Sequence, residues 1–443
     1  MSFEPFNGVT PPNEWKTRLV KDIAVVNERS IKKSDRIDTI QYIDIAAVNH
    51  RNIDQLQTFK LNDAPSRARR IVQDNDILIS TVRPNLKHYT MIRKAEPDMI
   101  ASTGFAVVSP KRVHPDFLYY YLTSDSYTRY LTQIAEGQTS AYPAFNSDII
   151  ENTVIYLPPE NEQCEIGEML ASVDKKIELN NAINKNLEEM AQALFKRWFV
   201  DFEFPNENGE PYKSSGGEFE ESELGLIPRG WKVKKISEVT NIVRGASPRP
   251  IQDYIDSKGM PWIKISDATE ANSKFIVKTK EFIKKAGISK SRKINPGTLI
   301  LSNSATPGIP MFVLIEACVH DGWLIFKDFF GVSKEFLYYF LLREREGIVS
   351  LSNGSVFRNL KTDILKNYKI IIPKDSVLMQ ADVIFKSINE SIASRIYQNE
   401  QLAELRDTLL PKLMSGEIRV PVEQDHSVPD LPMVAERSAN YQP

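Results

Sequence analysis

The chain repeats itself, and this limits its possible folds more than any other property of its 443 residues. Pro12-Asn13-Glu14-Trp15-Lys16 returns as Pro228-Arg229-Gly230-Trp231-Lys232, and Asp76-Ile77-Leu78-Ile79-Ser80 as Thr298-Leu299-Ile300-Leu301-Ser302. Asp116-Phe117-Leu118-Tyr119-Tyr120-Tyr121-Leu122 returns as Glu335-Phe336-Leu337-Tyr338-Tyr339-Phe340-Leu341. A glycine then opens a polar loop in each half (Gly137, Gly354), an Asp-Ile pair follows (Asp148-Ile149, Asp363-Ile364), and an apolar run ends in proline (Ile155 to Pro158, Ile370 to Pro373). The offset stays between 215 and 222 positions throughout. An ordered series at nearly constant spacing means one structural unit used twice, and the length suits two or three domains.

Each half ends in a helical pattern. After Pro158-Pro159, which suit a helix start, Ile166, Leu170, Val173, Ile177, Leu187, Ala191 and Leu194 follow alternating spacings of four and three, interrupted by Asn180 and Asn184. Phe385, Ile388, Ile392, Leu402 and Leu409 repeat the seam, with Arg395, Asn399 and Arg406 as its polar members. Such a heptad seam predicts two helices of about 35 to 40 residues, roughly 55 to 60 Å long. A seam this narrow asks for another helix as partner, the alternative being packing on the helix's own globular domain. Leu170, Val173, Ile177, Asn184, Leu187, Phe385, Ile388, Ile392, Asn399 and Leu402 are the expected pairing residues. The globular parts carry short β-rich runs (Gln41 to Ile45, Asp76 to Ser80, Phe105 to Ser109; Trp262 to Ile265, Thr298 to Leu301, Met311 to Ile315) between Pro and Gly turns. Short helices are predicted at Phe117 to Leu131 and Phe336 to Leu342. The expected class is α+β, with domains at 1–157 and 227–373, long helices at 158–204 and 374–416, a linker at 205–226 and an aperiodic, disordered tail at 417–443.

Composition sets outer bounds. Hydrophobic content of 42% with 26% charged residues is that of a soluble globular protein. The longest apolar runs have strand length, far below the roughly 20 residues of a membrane span, and Met1 to Pro12 has no signal-peptide pattern. Cys164 and Cys318 stand in unrelated contexts, which excludes a disulfide framework and fits a reducing cytoplasm. The formal charge of −2 does not by itself announce a nucleic-acid binder. Its distribution does more. Arg67 to Lys94 holds seven Arg/Lys against Asp74 and Asp76, and Lys274 to Lys293 holds eight against Glu281 alone. Such runs can form a local phosphate-attracting field or simply be solvated faces.

Catalytic motifs are missing. There is no phosphate-binding G-x-x-x-x-G-K-S/T loop and no glycine-rich cofactor turn. The Asn/Asp-Pro-Pro-aromatic loop of amino-methyltransferases is also lacking. His50, His88, His114, His320 and His426 are scattered without metal-ligand spacing. Pro115-Asp116 with Asp174-Lys175-Lys176 imitates a nuclease centre, but its second part lies in the helical repeat. What recurs instead is recognition chemistry: Arg bonds guanine, Asn or Gln adenine, and Ser, Thr and Lys phosphates. The candidate DNA-binding residues are Arg67, Arg69, Arg70, Ser80, Arg83, Lys87, Gln138, Thr139 and Ser140 in the first half. In the second they are Lys264, Ser302, Asn303, Ser304, Ser355, Arg358 and Asn359. Corresponding loops differ in side chains while the frame persists, as two readers on one frame would.

With these features the chain resembles the specificity subunit of type I restriction-modification enzymes over nearly its whole length. The resemblance rests on the Pro-x-x-Trp-Lys openings (Trp15, Trp231), the strands followed by Ser80 and Ser302, and the Pro-ended strands before long helices. It also rests on Asp76 to Pro84, on Phe195-Lys196-Arg197-Trp198-Phe199-Val200-Asp201-Phe202, and on Leu409-Leu410-Pro411-Lys412-Leu413-Met414-Ser415-Gly416-Glu417-Ile418. It implies two target recognition domains reading a split sequence in double-stranded DNA, with the helices paired as an antiparallel coiled-coil spacer. It further implies a non-catalytic chain serving two modification subunits, which use S-adenosylmethionine to methylate adenine, and two restriction subunits using ATP and Mg2+. A competing expectation is a helical scaffold that assembles proteins without reading DNA; the two basic segments speak against it.

Overall fold

The computed structural model describes residues 9–32, 35, 37–49, 51–54, 56–138, 142–271, 273–351 and 359–421. These fall into two compact units: one holds the residues up to Leu179 together with those from Asn399 onward, the other Asn180–Gln398. Five helices of eight or more residues lie among the described residues: α1 (Pro115–Leu122), α2 (Asp125–Gln138), α3 (Glu160–Phe195), α4 (Lys334–Arg343) and α5 (Asp375–Ser415). The two long helices have 36 and 41 residues, and each contributes one part to each unit.

The first unit is built on two four-stranded sheets. One has the order Gln57–Lys60, Thr39–Ile43, Met99–Ser102, Ala68–Ile71, with its central pair parallel. The other, Ala24–Val26, Phe105–Pro110, Ile77–Ser80, Tyr89–Met91, is antiparallel throughout. Ile77–Ser80 is buried at every position, so its sequence is a continuous apolar run rather than an alternation. The strand period divides its two faces. Leu78, Phe105 and Val107 pack toward Ile43, Met99 and Ala101 of the other sheet. Ile77, Ile79, Ala106 and Val108 pack with Phe117, Tyr120 and Tyr121 of α1 and with Ile166 and Leu170 of α3. Leu410, Leu413 and Met414 of α5 join that same core. Lys16–Leu19 pairs antiparallel with Val154–Leu157, so the repeat's first and last strands close on each other.

The second unit repeats this plan with two five-stranded sheets. Leu299, Leu301, Phe312, Leu324 and Phe326 share a core with Phe336 and Tyr339 of α4, Ala191 and Phe195 of α3, and Phe385, Ile388 and Ile392 of α5. The opposite face, with Ile300, Met311 and Ile325, packs against Ile263, Ala317 and Val319. Lys232–Lys235 pairs antiparallel with Lys369–Ile372. α4 starts where Ser333 Oγ accepts the Phe336 amide at 3.0 Å, a side-chain N-cap.

Three expectations change. The helix predicted from Phe117 to Leu131 is two helices, because Thr123 and Ser124 turn their hydroxyls onto the Tyr119 and Tyr121 carbonyls and Ser124 Oγ then accepts the Tyr127 amide. The strand expected from Trp262 to Ile265 ends at Ile263, since the Asp267 carboxylate accepts the Lys264 amide and a short helix begins. The segment 205–226, expected as a linker, is folded into the second unit. Phe204 stacks on Tyr212 and Trp231, and Phe219–Ser222 pairs with Gly225–Pro228. Aromatics spaced through a polar stretch supply the core contact that composition alone hides. Of the expected tail, residues 422–443 lie outside the described residues.

The seam residues divide in burial. Leu170, Phe385, Ile388 and Ile392 are buried, whereas Val173, Ile177, Asn184, Leu187, Asn399 and Leu402 are half-buried. Within the second unit Asn180 Nδ2 of α3 donates to Gln398 Oε1 of α5 at 2.8 Å. Within the first, Asp174 of α3 meets Arg406 of α5 at 2.5 Å.

Candidate nucleic-acid interface

Each half brings its two candidate loops together by the same backbone bond. In the first unit the Phe145 amide donates to the Thr81 carbonyl at 3.0 Å, and Arg83 N to Pro143 O at 2.8 Å. In the second the Leu360 amide donates to the Asn303 carbonyl at 2.8 Å. Phe145 and Leu360 each stand three residues before the Asp-Ile pair, and Thr81 and Asn303 each follow the strand-ending serine. In each unit, described residues that flank loops far apart in sequence are thus bonded to each other.

The candidate side chains divide sharply. Arg67 and Arg69 are exposed, the first just before and the second within the edge strand Ala68–Ile71, while Arg70 is half-buried and donates to Ser30 Oγ at 3.2 Å. Arg83 is exposed in left-handed backbone (φ 47°), with its guanidinium 5.2 Å from the ring centre of Tyr142. Lys87 pairs with Asp125 at 2.6 Å. Ser80 and Ser302, expected as contacts, are buried and hold their own turns. Ser80 Oγ donates to the Val82 carbonyl at 2.8 Å, and Ser302 Oγ donates to the Thr306 carbonyl and accepts the Ile309 amide. A hydroxyl at a strand end satisfies the turn's backbone before it can serve a ligand. Asn303 is also buried, Ser304 half-buried and Asn359 exposed. Lys264 is neutralised by Glu281 and lies 5.4 Å from the Trp262 ring. The Gln138 side chain, Thr139, Ser140, Ser355 and Arg358 lie outside the described residues.

Three of the eight cations of the second basic run are taken up by acids outside it. Lys274 is buried against Glu188, Lys280 pairs with Glu270 and Lys293 with Glu316. A window count sees only neighbours in sequence, so it missed these partners. Two exposed arginines that sequence reading did not single out lie near Asp321. Arg244 Nε donates to the Asp321 carbonyl at 2.7 Å, and Arg249 lies 3.3 Å from its carboxylate. Gly245 admits this loop, since a Cβ there would meet His320 O at 2.1 Å. Burial pushes the His320 imidazole below its usual range; Asp321 opposes the shift, and Lys264, Arg249 and Arg244 add to it. The run Arg244-Gly245-Ala246-Ser247-Pro248-Arg249-Pro250, two arginines in a Gly/Pro turn, is the signal that could have found this group. Tyr142, 70% exposed, is the other missed residue.

Asp116 and Asp174, the nuclease-like pair, are each held by arginine. Arg93 meets Asp116 at 2.6 Å. Asp174 is bonded by Arg51 at 2.7 Å, Arg406 at 2.5 Å and the Tyr120 hydroxyl at 2.7 Å. Burial works against this charge, but Arg51 and Arg406 hold the Asp174 carboxyl below its ordinary range. The second unit has its own version. Lys274 Nζ lies 2.5 Å from Glu188 and donates to Tyr339 Oη at 2.7 Å, and burial pushes the Lys274 ammonium below its ordinary range. Among the described residues no group of His, Cys, Asp and Glu is placed to hold a metal, and no helix is long and apolar enough to cross a membrane.

A family model described as the type I restriction modification DNA specificity domain matches residues 12–189 and again 228–398. The type I restriction enzyme HindI specificity subunit of Haemophilus influenzae is 27% identical over 469 residues, covering 92% of this chain and 100% of that protein. The MjaIX specificity subunit of Methanocaldococcus jannaschii is 25% identical, covering 92% and 94%. The crystal structure of a type I restriction-modification system S subunit from M. genitalium shares the fold, with a TM-score of 0.56, 14% identity, and 91% and 99% coverage. Two matched domains, on the two halves that carry the paired loops, place this chain in the family of type I restriction-modification specificity subunits.

Proposed function

We propose that this chain reads a two-part sequence in double-stranded DNA, one part with each half, and carries no catalysis of its own. The observation that supports this most is the recurrence of the Thr81–Phe145 and Asn303–Leu360 backbone bonds beneath loops whose side chains differ. A fixed frame with diverged surfaces is suited to an asymmetric target. In the first reader, 1–157, Arg83 on Tyr142 presents a planar donor fork that suits guanine, and Arg67 and Arg69 serve phosphates. In the second, 227–373, Arg244, Arg249 and Asn359 take these parts. The helices α3 and α5 pair antiparallel as a coiled-coil spacer, a reading supported by Asn180–Gln398 and Asp174–Arg406. Two modification subunits dock on the repeated frame and methylate adenine with S-adenosylmethionine; two restriction subunits add ATP- and Mg2+-dependent cleavage. Binding of the chain with its modification partner to duplexes carrying its methylation site tests the reading: a steep fall of affinity with salt is expected. Assembly with no DNA affinity at any salt would favour the scaffold alternative.

A further inference from the structure

A cavity of about 180 Å³ in the second unit is lined by Phe312, Leu314, Lys334, Glu335, Lys386 and Asn389, among others. Glu335 and Asn389 are 5% and 8% exposed. Their Glu335 Oε2 and Asn389 Oδ1 atoms have no hydrogen-bond partner among the described residues. Two buried acceptors at one cavity ask for a donor, because such oxygens are costly to bury unpaired.

The duplication indicates which donor. Met91 faces Ile77 across its strand pair, and Phe312 faces Leu299 in the equivalent pair. Two residues further on stand Arg93 in the first half and Leu314 in the second. Asp116 and Glu335 open the repeated Phe-Leu-Tyr-Tyr motif. In the first unit the Arg93 guanidinium pairs with Asp116; in the second, Leu314 cannot pair with Glu335. Of the two lysines at the cavity, Lys334 donates to the Gly297 carbonyl at 2.9 Å, and Lys386 is exposed at the rim beside Glu390.

We propose that this cavity binds a guanidinium group, with the Glu335 carboxylate as charged acceptor and Asn389 Oδ1 as second acceptor. A planar, weakly hydrated cation with several donors in a fixed fork matches that pair of oxygens. The group comes either from an arginine of a docked protein or from a small free guanidinium compound. Methylguanidinium chloride titrated into the full chain, followed by calorimetry and thermal unfolding, tests this against MgCl2 and NaCl. Saturable binding with Kd on the order of 1 mM and a matching rise in Tm are expected with methylguanidinium alone. Glu335→Gln lowers the affinity by about tenfold or more, and Asn389→Asp raises it. Leu314→Arg abolishes the titration and raises Tm, because the chain then supplies its own guanidinium. In the assembled complex, lost binding identifies a partner's arginine as occupant and retained binding a free small cation. Absence of binding, meaning an ordered water only, would overturn the proposal. So would an undiminished response in Glu335→Gln, or a response to magnesium alone.

Discussion

The two halves hold their helices by the same idea with the charges redistributed. In the first unit the acid, Asp174, gathers Arg51, Arg406 and Tyr120. Its counterpart in the repeat is Asn389, and the second unit places its acid elsewhere on α3, at Glu188, against Lys274 and Tyr339. Trp15 donates to Glu162 at 3.1 Å; the equivalent position is Val377, and Trp231 Nε1 has no hydrogen-bond partner among the described residues. The tyrosine pair and a buried cation persist while the acid moves. A duplicated frame therefore keeps the packing of each globular part on the long helices as its invariant, and the particular ion pairs can be reassigned. The two cations also differ in kind: a guanidinium stays charged under all ordinary conditions, whereas a buried ammonium can release its proton.

That difference sets the largest expected effect. Asp174→Ala leaves the half-buried Arg51 without its acid and the buried Arg406 with Asp407 alone, and should cost about 3 to 5 kcal/mol in chemical denaturation of the chain. Glu188→Ala should cost less, because Lys274 can discharge, and its cost should depend on pH. The folded value of Lys274 is already lowered, so the unfolded chain binds more protons between that value and the unfolded one. Stability then rises with pH across that window, up to about pH 10 where buried tyrosines begin to oppose it. The rise should be steeper in Glu188→Ala than in the parent; equal slopes would break the comparison. At the reading surface, Arg83→Ala in the assembled enzyme should cost about 1 to 3 kcal/mol in binding, confined to one part of the target. Tyr142→Phe should keep the stacked ring and most of the affinity, and Tyr142→Ala should not. Smallest of all, Lys280→Ala and Lys293→Ala should change stability by less than about 0.5 kcal/mol, since their pairs with Glu270 and Glu316 are exposed.

Much of the fold was legible because it is local. Ile77–Ser80 and Thr298–Ser302 are apolar runs, and α3 and α5 carry heptad seams long enough to be read from Ile166 to Leu194 and from Phe385 to Leu409. Sheet order was not legible: the pairing of Thr39–Ile43 with Met99–Ser102 joins segments that no local pattern links. The candidate site was legible as loops and only partly as side chains. Arg83 is exposed, whereas Ser80 and Ser302 turn inward onto backbone. Lys274, counted in a basic run, is buried because Glu188, Tyr338 and Tyr339 surround it. Asp174, set aside as part of a nuclease-like pattern because it lies in the helical repeat, is bound by Arg51 and Arg406, partners remote in sequence that no local pattern reveals.

The most direct test of two readers on one frame is a map of methylated adenines in cells carrying the complete system. One map is needed for the parent chain and one for a chain with Arg83→Ala and Tyr142→Ala. The expected parent map shows one motif in two specific parts separated by an unspecific gap, and the variant relaxes or changes only one part. A single contiguous motif, or a variant that alters both parts together, would contradict the account.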